Sequence, residues 1–337
     1  MELYQSELQN KIDTLVPFQN EAQEVTLERI KLLIDNLQLV VEFYYEGRVL
    51  DASEQFNRAM QNLFFSSIKP TLTITVNTTL YRARIEGEHA WKKNDLFHVP
   101  FQKRNFVSTN RYSIPGFPAL YLGDSTYVCW EEYNRYRLRD LYFSKFSNNR
   151  PLTVINIESF NDFKRTLNKY PIGLRLPYLL RYIVTFPLTI ACTRKVLEQK
   201  GNFKPEYIIP QLLLQFVSAK FSHIDGIRFP SSKVNYNNLK WVNAYNYVFP
   251  VKCNKKEGFC DQLMDTFYLT QPTSLELEEI SDNPRFQTGI IMGSGKTDML
   301  KIKLAEDVEV AYVNTSFGKL ESILSRRPLK RLIDLTA

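Results

Sequence analysis

The stretch NRYSIPGFPALYLGDSTYVCWEE, residues 110–132, predicts a turn, a strand and a helix in immediate succession. Its SIPG run is typical of a turn, and the ALYL that emerges from it is typical of a buried strand. The following DSTYVCWEEYNRYR has helical spacing, with Val128 toward the core and Glu131 and Glu132 near the middle. Acids in such a helix normally face solvent. The functional alternative is that one carboxylate points into a cleft beside Tyr121.

The composition is that of a folded globular chain. Of its 337 residues 44% are hydrophobic, and 19 Tyr and 23 Phe stand against 12 Gly, which excludes a low-complexity or disordered protein. The charge is uneven, because residues 1–70 carry 6 Lys and Arg against 11 Asp and Glu, and the rest carry 37 against 25. A basic second part is typical either of a Lys-rich solvated surface or of a protein that binds phosphate groups or nucleic acid.

Cysteine and histidine usage argues against a metal centre. The four cysteines are dispersed except for Cys253 and Cys260, whose C-x6-C spacing matches no usual zinc motif. With three histidines in the chain, a histidine metal site or a Ser-His-Asp triad is disfavoured. We expect reduced thiols in a cytoplasmic protein that holds no metal.

Membrane association is not expected. No basic segment followed by an apolar one marks a signal peptide at the N-terminus. The most apolar stretch, YLLRYIVTFPLTIAC at residues 178–192, contains Arg181 and Pro187 and is too short to span a bilayer.

Three segments are predicted along the chain: a helical N-terminal region at 1–68, a catalytic domain at 69–255 and a C-terminal extension at 256–337. Apolar residues recur at helical intervals in TLERIKLLIDNLQLVVEFYYEG and DASEQFNRAMQNLFFSSI. Strands are predicted at TLTITV, TLYRAR, ALYL, LTVINI, DGIRF and YNYVF, a helix at EYIIPQLLLQFVSAKF, and one or two added strands at LKIKLAEDVEVAYV. Since strands and helices do not alternate regularly, we predict an α+β fold.

The segment GIIMGSGKTDM looks like the end of a phosphate-binding P-loop. That loop needs a glycine, four residues and then Gly-Lys-Ser/Thr. Counting back from Gly295, the position of the first glycine is held by Ile290. We therefore interpret the segment as a glycine-rich surface turn and not as an NTPase motif.

Four blocks of the sequence, in this order, resemble the RES-domain family. They are LYRAR, then NRYSIPGFPALYL followed eleven residues after its Tyr by Glu132, then EYIIPQLLLQFV, and finally HIDGIRFPSSKV. The resemblance implies a fold like that of ADP-ribosyltransferases and an enzyme that destroys NAD by hydrolysis or phosphorolysis of the nicotinamide–ribose bond. Many members are bacterial toxins paired with an Xre-type DNA-binding antitoxin, so the resemblance implies such a partner too.

The functional residues of the family carry over to this chain position by position. They are Arg82 for the family Arg, Tyr121 for its Tyr, Glu132 for its Glu, Ser231 for its Ser with Ser232 as an adjacent alternative, and Arg111 for a further basic position. The resemblance implies that Arg82, Glu132 and Ser231 are catalytic. It implies that Arg82, Arg111, Tyr121 and Ser231 bind the substrate NAD.

Cleavage of NAD suits these residue types. Arginine offers a planar fork of donors to a diphosphate. A carboxylate at Glu132 would stabilise the positive charge that develops on the ribose, and Tyr121 offers an aromatic face to the nicotinamide ring. Ser231 would orient the substrate, because no histidine is placed by sequence to activate it as a nucleophile. No metal is required.

Two other readings of the sequence stay open. The same pocket could transfer ADP-ribose to a protein or nucleic acid, and the sequence does not say whether water, phosphate or a macromolecule accepts the ribosyl group. Alternatively, the basic second part could form a non-enzymatic binding module. Direct nucleic-acid binding is disfavoured because the basic residues are dispersed and no helix-turn-helix, RRM or zinc pattern is recognisable.

Overall fold

The computed structural model describes residues 21–65, 69–87, 92–220, 223–240, 244–281, 300–305 and 308–332. The chain divides into two compact units. The first unit is Met1–Pro70 with Ile157–Leu212, and the second unit is Thr71–Asn156 with Leu213–Ala337. The segment boundaries predicted at residues 68 and 255 stay predictions.

The α-helices of the described residues are α1 (Glu21–Tyr45), α2 (Val49–Phe65), α3 (Thr126–Glu132), α4 (Phe160–Leu167), α5 (Ile172–Thr193), α6 (Ile208–Lys220), α7 (Asp261–Thr266), α8 (Leu275–Ile280) and α9 (Ser316–Arg326). The strands are β1 (Thr71–Ile74), β2 (Thr79–Ile85), β3 (Ala119–Gly123), β4 (Leu141–Asn148), β5 (Leu152–Asn156), β6 (Gly226–Pro230), β7 (Leu239–Lys240), β8 (Tyr245–Pro250), β9 (Phe267–Leu269), β10 (Lys301–Ala305) and β11 (Val308–Ala311). Both the α+β class and the helical N-terminal region are confirmed.

The first unit is helical. In α2 the predicted apolar face is buried, and it consists of Phe56, Ala59, Met60, Leu63 and Phe64. Helices α1, α2 and α5 pack together, and an aromatic cluster joins α4 to α5, where the Phe163 and Tyr182 rings stack with centroids 3.9 Å apart. Because one face of each helix supplies apolar side chains, the unit has a core of its own.

Helix α5 is longer than the apolar stretch at 178–192 and includes Pro177 and Pro187. Among the described helices it is long and apolar enough to cross a membrane. Half of its most apolar window is nevertheless buried inside the structure, and the core helices of other proteins meet the same criterion.

The second unit is built on an eight-stranded sheet with the order β1-β5-β6-β8-β3-β2-β4-β9, in which only the β5–β6 pair is parallel. Strand β8 is central, and all six of its residues are buried. It pairs with β3 over five residues. The pairing between β3 and β2 is much shorter, with Tyr81 opposite Gly123. The predicted strands in the extension are confirmed as β10 and β11, which form a second sheet with β7.

Two details of the sequence interpretation change. The helix predicted for DSTYVCWEEYNRYR ends at Glu132, so the two acids lie at its end and not near its middle. The cause is local, because Asn134 and Arg135 follow with φ of 54° and 57°, in the left-handed region that cannot continue an α-helix. The segment GIIMGSGKTDM lies outside the described residues.

A buried histidine ties the segment before β3 to the segment before α7. His98 Nδ1 lies 2.8 Å from the Val99 carbonyl, and its Nε2 accepts a hydrogen bond from the Cys260 N–H at 2.9 Å. A ring nitrogen that accepts a hydrogen bond carries no proton, so the ring is neutral. Burial, with a smaller contribution from the charge of Arg82, lowers the pKa of His98 to about 4.

This histidine makes stability depend on pH. The unfolded chain binds a proton at His98 below pH 6.5, while the folded chain resists it down to about pH 4, so stability is lost as the pH falls through that window. We expect the free energy of unfolding to fall by about 3 kcal/mol more in the wild type than in His98→Gln between pH 7 and pH 4. Urea unfolding at several pH values measures this difference, and His223→Gln, at an exposed position, is the control. Parallel curves for the wild type and His98→Gln would contradict the assignment.

Candidate active site

Helix α3 carries Glu132, and its packing fixes where that side chain lies. The helix begins after Ser125, whose Oγ accepts a hydrogen bond from the Val128 N–H at 3.2 Å. Its inner face packs on β2 and β3, and Cys129 comes so close to Gly123 that a Cβ there would lie 3.0 Å from the sulfur. Glycine at this position therefore lets the helix lie directly against the strand.

The two acids at the end of α3 point to different partners. Glu131 is 3% exposed, and its carboxylate accepts hydrogen bonds from the Tyr127 hydroxyl and from Nε and Nη2 of Arg135, both at 3.0 Å. Arg135 reaches back because its positive φ reverses the chain after the helix. Glu131 therefore forms a structural ion pair, whereas Glu132 points to other partners.

Glu132 is held by neutral donors on one oxygen. Its Oε1 accepts a hydrogen bond from Ser231 Oγ at 2.7 Å and another from Asn246 Nδ2 at 2.6 Å. Its Oε2 lies 3.9 Å from Lys233 Nζ, and Lys233 also donates to the main-chain carbonyl of Glu132. The Glu132 side chain is 34% exposed, so its carboxylate is oriented and still open to solvent.

The sheet brings these partners to Glu132. Ser231 directly follows β6, is 2% exposed, and donates its N–H to the Ala244 carbonyl at 2.8 Å. Asn246 lies on β8 opposite Gly123 on one side and Phe229 on the other, and is 6% exposed. A buried amide on a central strand needs a partner, and the Glu132 carboxylate provides one.

A second group of predicted residues lies around β2 and β3. Arg82 Nη1 donates to the Tyr121 carbonyl at 3.2 Å, and the Tyr121 hydroxyl lies 2.7 Å from Ser113 Oγ. Within the described residues Arg82 has no ion pair with a carboxylate. Burial, and then the charge of Arg84, lowers the pKa of Arg82 to about 9, so the guanidinium stays a cation at pH 7. A half-buried cation without a carboxylate partner among the described residues is suited to an anionic ligand.

Arg111 lies beside the predicted serine pair. Its Nη2 donates to Ser232 Oγ at 3.2 Å, so Ser231 and Ser232 face different partners. Ser231, the preferred position, contacts the carboxylate, and Ser232, the alternative, contacts the arginine. In the part of the chain that the structure describes, no hydrogen bond or ion pair joins Arg82 to Glu132.

Sequence reasoning missed two residues that contact Glu132, namely Asn246 and Lys233. A signal for Asn246 was present, since it is the one polar residue within YNYVF, which was interpreted only as a strand. For Lys233 no signal stood out, because a lysine after a turn is usual at a surface. Among the described residues, no group of three or more His, Cys, Asp or Glu is placed to hold a metal ion.

The chain is similar to known proteins over this region. Residues 79–249 match the family model described as the RES domain. The chain is 32% identical over 320 residues to the Bacillus subtilis (strain 168) protein named "Putative toxin YopC", covering 89% of this chain and 69% of that protein. No solved structure matches the chain. The matched range includes every predicted site residue, whereas α9 lies beyond it.

The ion pair beside Glu132 has a measurable effect on stability. Arg135→Ala leaves the buried Glu131 carboxylate with the Tyr127 hydroxyl alone, so we expect the free energy of unfolding to fall by about 1–3 kcal/mol. Arg137→Ala is the matched control, because the Arg137 side chain is 77% exposed and 4.0 Å from Asp140, and should change stability by less than about 0.5 kcal/mol. Urea unfolding measures both variants. An equal fall in the free energy of unfolding for Arg135→Ala and Arg137→Ala would show that the ion pair of Arg135 with Glu131 does not stabilise the fold.

Proposed function

The chain belongs to the RES-domain family, and from that premise we propose that it is a toxin-like enzyme that cleaves the nicotinamide–ribose bond of NAD. In this reaction the bond between the nicotinamide nitrogen and the ribose C1′ breaks, and its electron pair leaves with nicotinamide. A hydroxyl of water or an oxygen of phosphate forms the new bond to C1′, and a proton is released to solvent when water is the acceptor. NAD is the substrate.

The observation that carries the proposal is the setting of the Glu132 carboxylate. Breaking the glycosidic bond builds positive charge on the ribose, and a carboxylate stabilises that charge best when it is already oriented. Ser231 and Asn246 orient Glu132 by donating hydrogen bonds to its Oε1, and neither donor is a charged group. The other oxygen, Oε2, lies 3.9 Å from Lys233 Nζ and is the oxygen that would face the ribose.

Arg82 supports the recognition of an anion. Among the described residues its guanidinium makes one side-chain hydrogen bond, to the Tyr121 carbonyl. A diphosphate would satisfy the remaining N–H donors. The diphosphate and the nicotinamide–ribose bond are separate parts of NAD, so the proposed substrate needs two groups of residues and no direct contact between Arg82 and Glu132.

The remaining predicted residues have supporting roles in the proposal. The Tyr121 hydroxyl is fixed by Ser113, which leaves the ring as an aromatic surface for nicotinamide. Arg111, beside Ser232, would add a cation to the substrate-binding side. Ser231 acts by holding Glu132 and not as a nucleophile.

The proposal also includes a biological role for the reaction. An enzyme that consumes NAD harms the cell that makes it, so we propose a cytoplasmic toxin that is restrained by an antitoxin of the Xre type. The similarity to the protein named "Putative toxin YopC" supports the toxin part of this proposal. The cytoplasmic location and the Xre type of the antitoxin rest on the sequence and its resemblance to the family alone.

Replacing the carboxylate tests its role in catalysis. Glu132→Gln keeps the shape and the acceptor for Ser231 and Asn246 but removes the charge, so we expect NAD consumption to fall by at least about 100-fold. Chromatography of the products should find free nicotinamide with the wild type, and the second product identifies the acceptor. Glu279→Gln, which changes an exposed acid paired with Arg139, should keep full activity.

Several outcomes would change this conclusion. If the folded wild type leaves NAD intact, the enzymatic reading fails and a binding module becomes the better description. If label from NAD stays on a macromolecule, the enzyme is an ADP-ribosyltransferase. If Glu132→Gln retains full activity, another group stabilises the ribose.

Replacing Arg82 tests the recognition of the diphosphate. Arg82→Lys keeps a positive charge but loses the planar fork of donors, so we expect the KM for NAD to rise about 10-fold while kcat changes little. Arg84→Lys on the same strand is the matched control and should leave both constants within about 3-fold. Steady-state kinetics measure these changes. An equal change in the KM for NAD in the two variants would show that Arg82 has no specific role in binding the diphosphate.

A further inference from the structure

The C-terminal extension covers the helix that carries Glu132. Helix α9 begins after Thr315, whose Oγ1 accepts a hydrogen bond from the Gly318 N–H at 3.2 Å, and it lies outside the range that matches the RES domain. Its buried Phe317 packs on the rings of Tyr127 and Trp130, with centroid distances of 5.4 and 5.3 Å. Helix α3 is therefore packed on β2 and β3 on one side and on α9 on the other.

A single carboxylate connects α9 to the start of α3. Glu321 Oε1 accepts hydrogen bonds from the Thr126 N–H at 2.7 Å, the Thr126 hydroxyl at 3.0 Å and the Tyr312 hydroxyl at 2.7 Å. Thr126 is the first residue of α3 and is fully buried. Its N–H has no acceptor within the helix, so Glu321 supplies the acceptor that water cannot. Burial raises the pKa of Glu321, whose carboxyl group lies between α9 and the start of α3.

A close approach between Gly318 and the backbone before α9 makes the contact between Tyr312 and Glu321 possible. A Cβ at Gly318 would lie 2.5 Å from the Tyr312 carbonyl and 2.6 Å from Val313 Cα, so the first turn of α9 can lie against Tyr312 only with glycine there. This close approach brings the Tyr312 hydroxyl to the Glu321 carboxylate. The close approach at Gly318 therefore places the Glu321 carboxylate where it contacts both Tyr312 and Thr126.

Helix α3 depends on such contacts because it is short. It has seven residues, so few hydrogen bonds within the helix hold it, and its first and last residues lie only about 9 Å apart along the axis. Glu321 holds the first residue, and Ser231 and Asn246 hold the side chain of the last. With so short a helix between them, we expect a shift at Thr126 to displace Glu132 as well.

We propose that Glu321 is a positioning residue for Glu132 and that residues 312–326 are a required part of the catalytic unit. The effect on turnover rests on the function proposed above, whereas the effect on the structure of α3 does not. An error of about 1 Å in the placement of a reacting group can reduce the rate by about 100-fold, so the loss of this contact should be visible in kcat.

Three variants of Glu321 separate geometry from charge. Glu321→Gln keeps an acceptor oxygen in place without the charge, and we expect it to resemble the wild type. Glu321→Asp keeps the charge but withdraws the acceptor by one methylene, and Glu321→Ala removes it. For Glu321→Asp and Glu321→Ala we expect faster hydrogen exchange of the α3 amides and a fall in kcat of about 10-fold or more with little change in the KM for NAD. Ser325→Ala, at an exposed position of α9, is the control and should change neither measurement.

The two measurements distinguish the failure of this inference from the failure of the proposed function. Hydrogen exchange of Thr126–Glu132, followed by mass spectrometry, reports on α3 whether or not the protein consumes NAD. If exchange rises in Glu321→Asp and Glu321→Ala and the wild type has no turnover, the proposed function fails and the support of α3 by Glu321 stands. Unchanged exchange and unchanged kcat in Glu321→Asp and Glu321→Ala would overturn the inference. If Glu321→Gln is as impaired as Glu321→Asp, the inference is overturned as well, since an acceptor oxygen at this position would then not be sufficient.

Discussion

One carboxylate oxygen joins three parts of the second unit that are distant in sequence. Oε1 of Glu132, at the end of α3, accepts hydrogen bonds from Ser231 after β6 and from Asn246 on β8. Both donors are buried, and a buried polar group without a partner costs about 1–3 kcal/mol. The positions of the helix and of the two strands are therefore linked, and the proposed chemistry uses the same carboxylate that links them.

The neighbouring acid shows how the chain keeps Glu132 available. Glu131 is paired with Arg135 and Tyr127. The positive φ angles of Asn134 and Arg135 reverse the chain after α3, and this reversal brings the Arg135 side chain back to Glu131. At the other end of the helix Glu321 binds Thr126, so a helix of two turns is fixed at both ends by side chains from elsewhere in the unit. Rigid placement of a partly exposed carboxylate follows from these contacts, and this is what stabilisation of a developing charge requires.

The sequence predicted the secondary structure, which depends on neighbouring residues, but it did not predict the contacts between residues that are distant in the chain. Strand and helix patterns gave the α+β class, the strands around the site and the amphipathic face of α2, because periodicity is a property of neighbouring residues. The end of α3 at Glu132 was missed, since helical spacing continues through residues 133–137 while the backbone at Asn134 does not. Asn246 and Glu321 were missed as well, because their partners lie far away in the chain and only the sheet and α9 bring them together.

The most direct test is a crystal structure of the protein with an NAD analogue whose nicotinamide–ribose bond cannot be cleaved. The informative distances are those from the Glu132 carboxylate to the C1′ position of the analogue and from the Arg82 guanidinium to the diphosphate. We expect the carboxylate to contact the ribose and the guanidinium to lie within hydrogen-bond distance of a diphosphate oxygen. An analogue bound elsewhere, or bound with its ribose away from Glu132, would refute the assignment of this site.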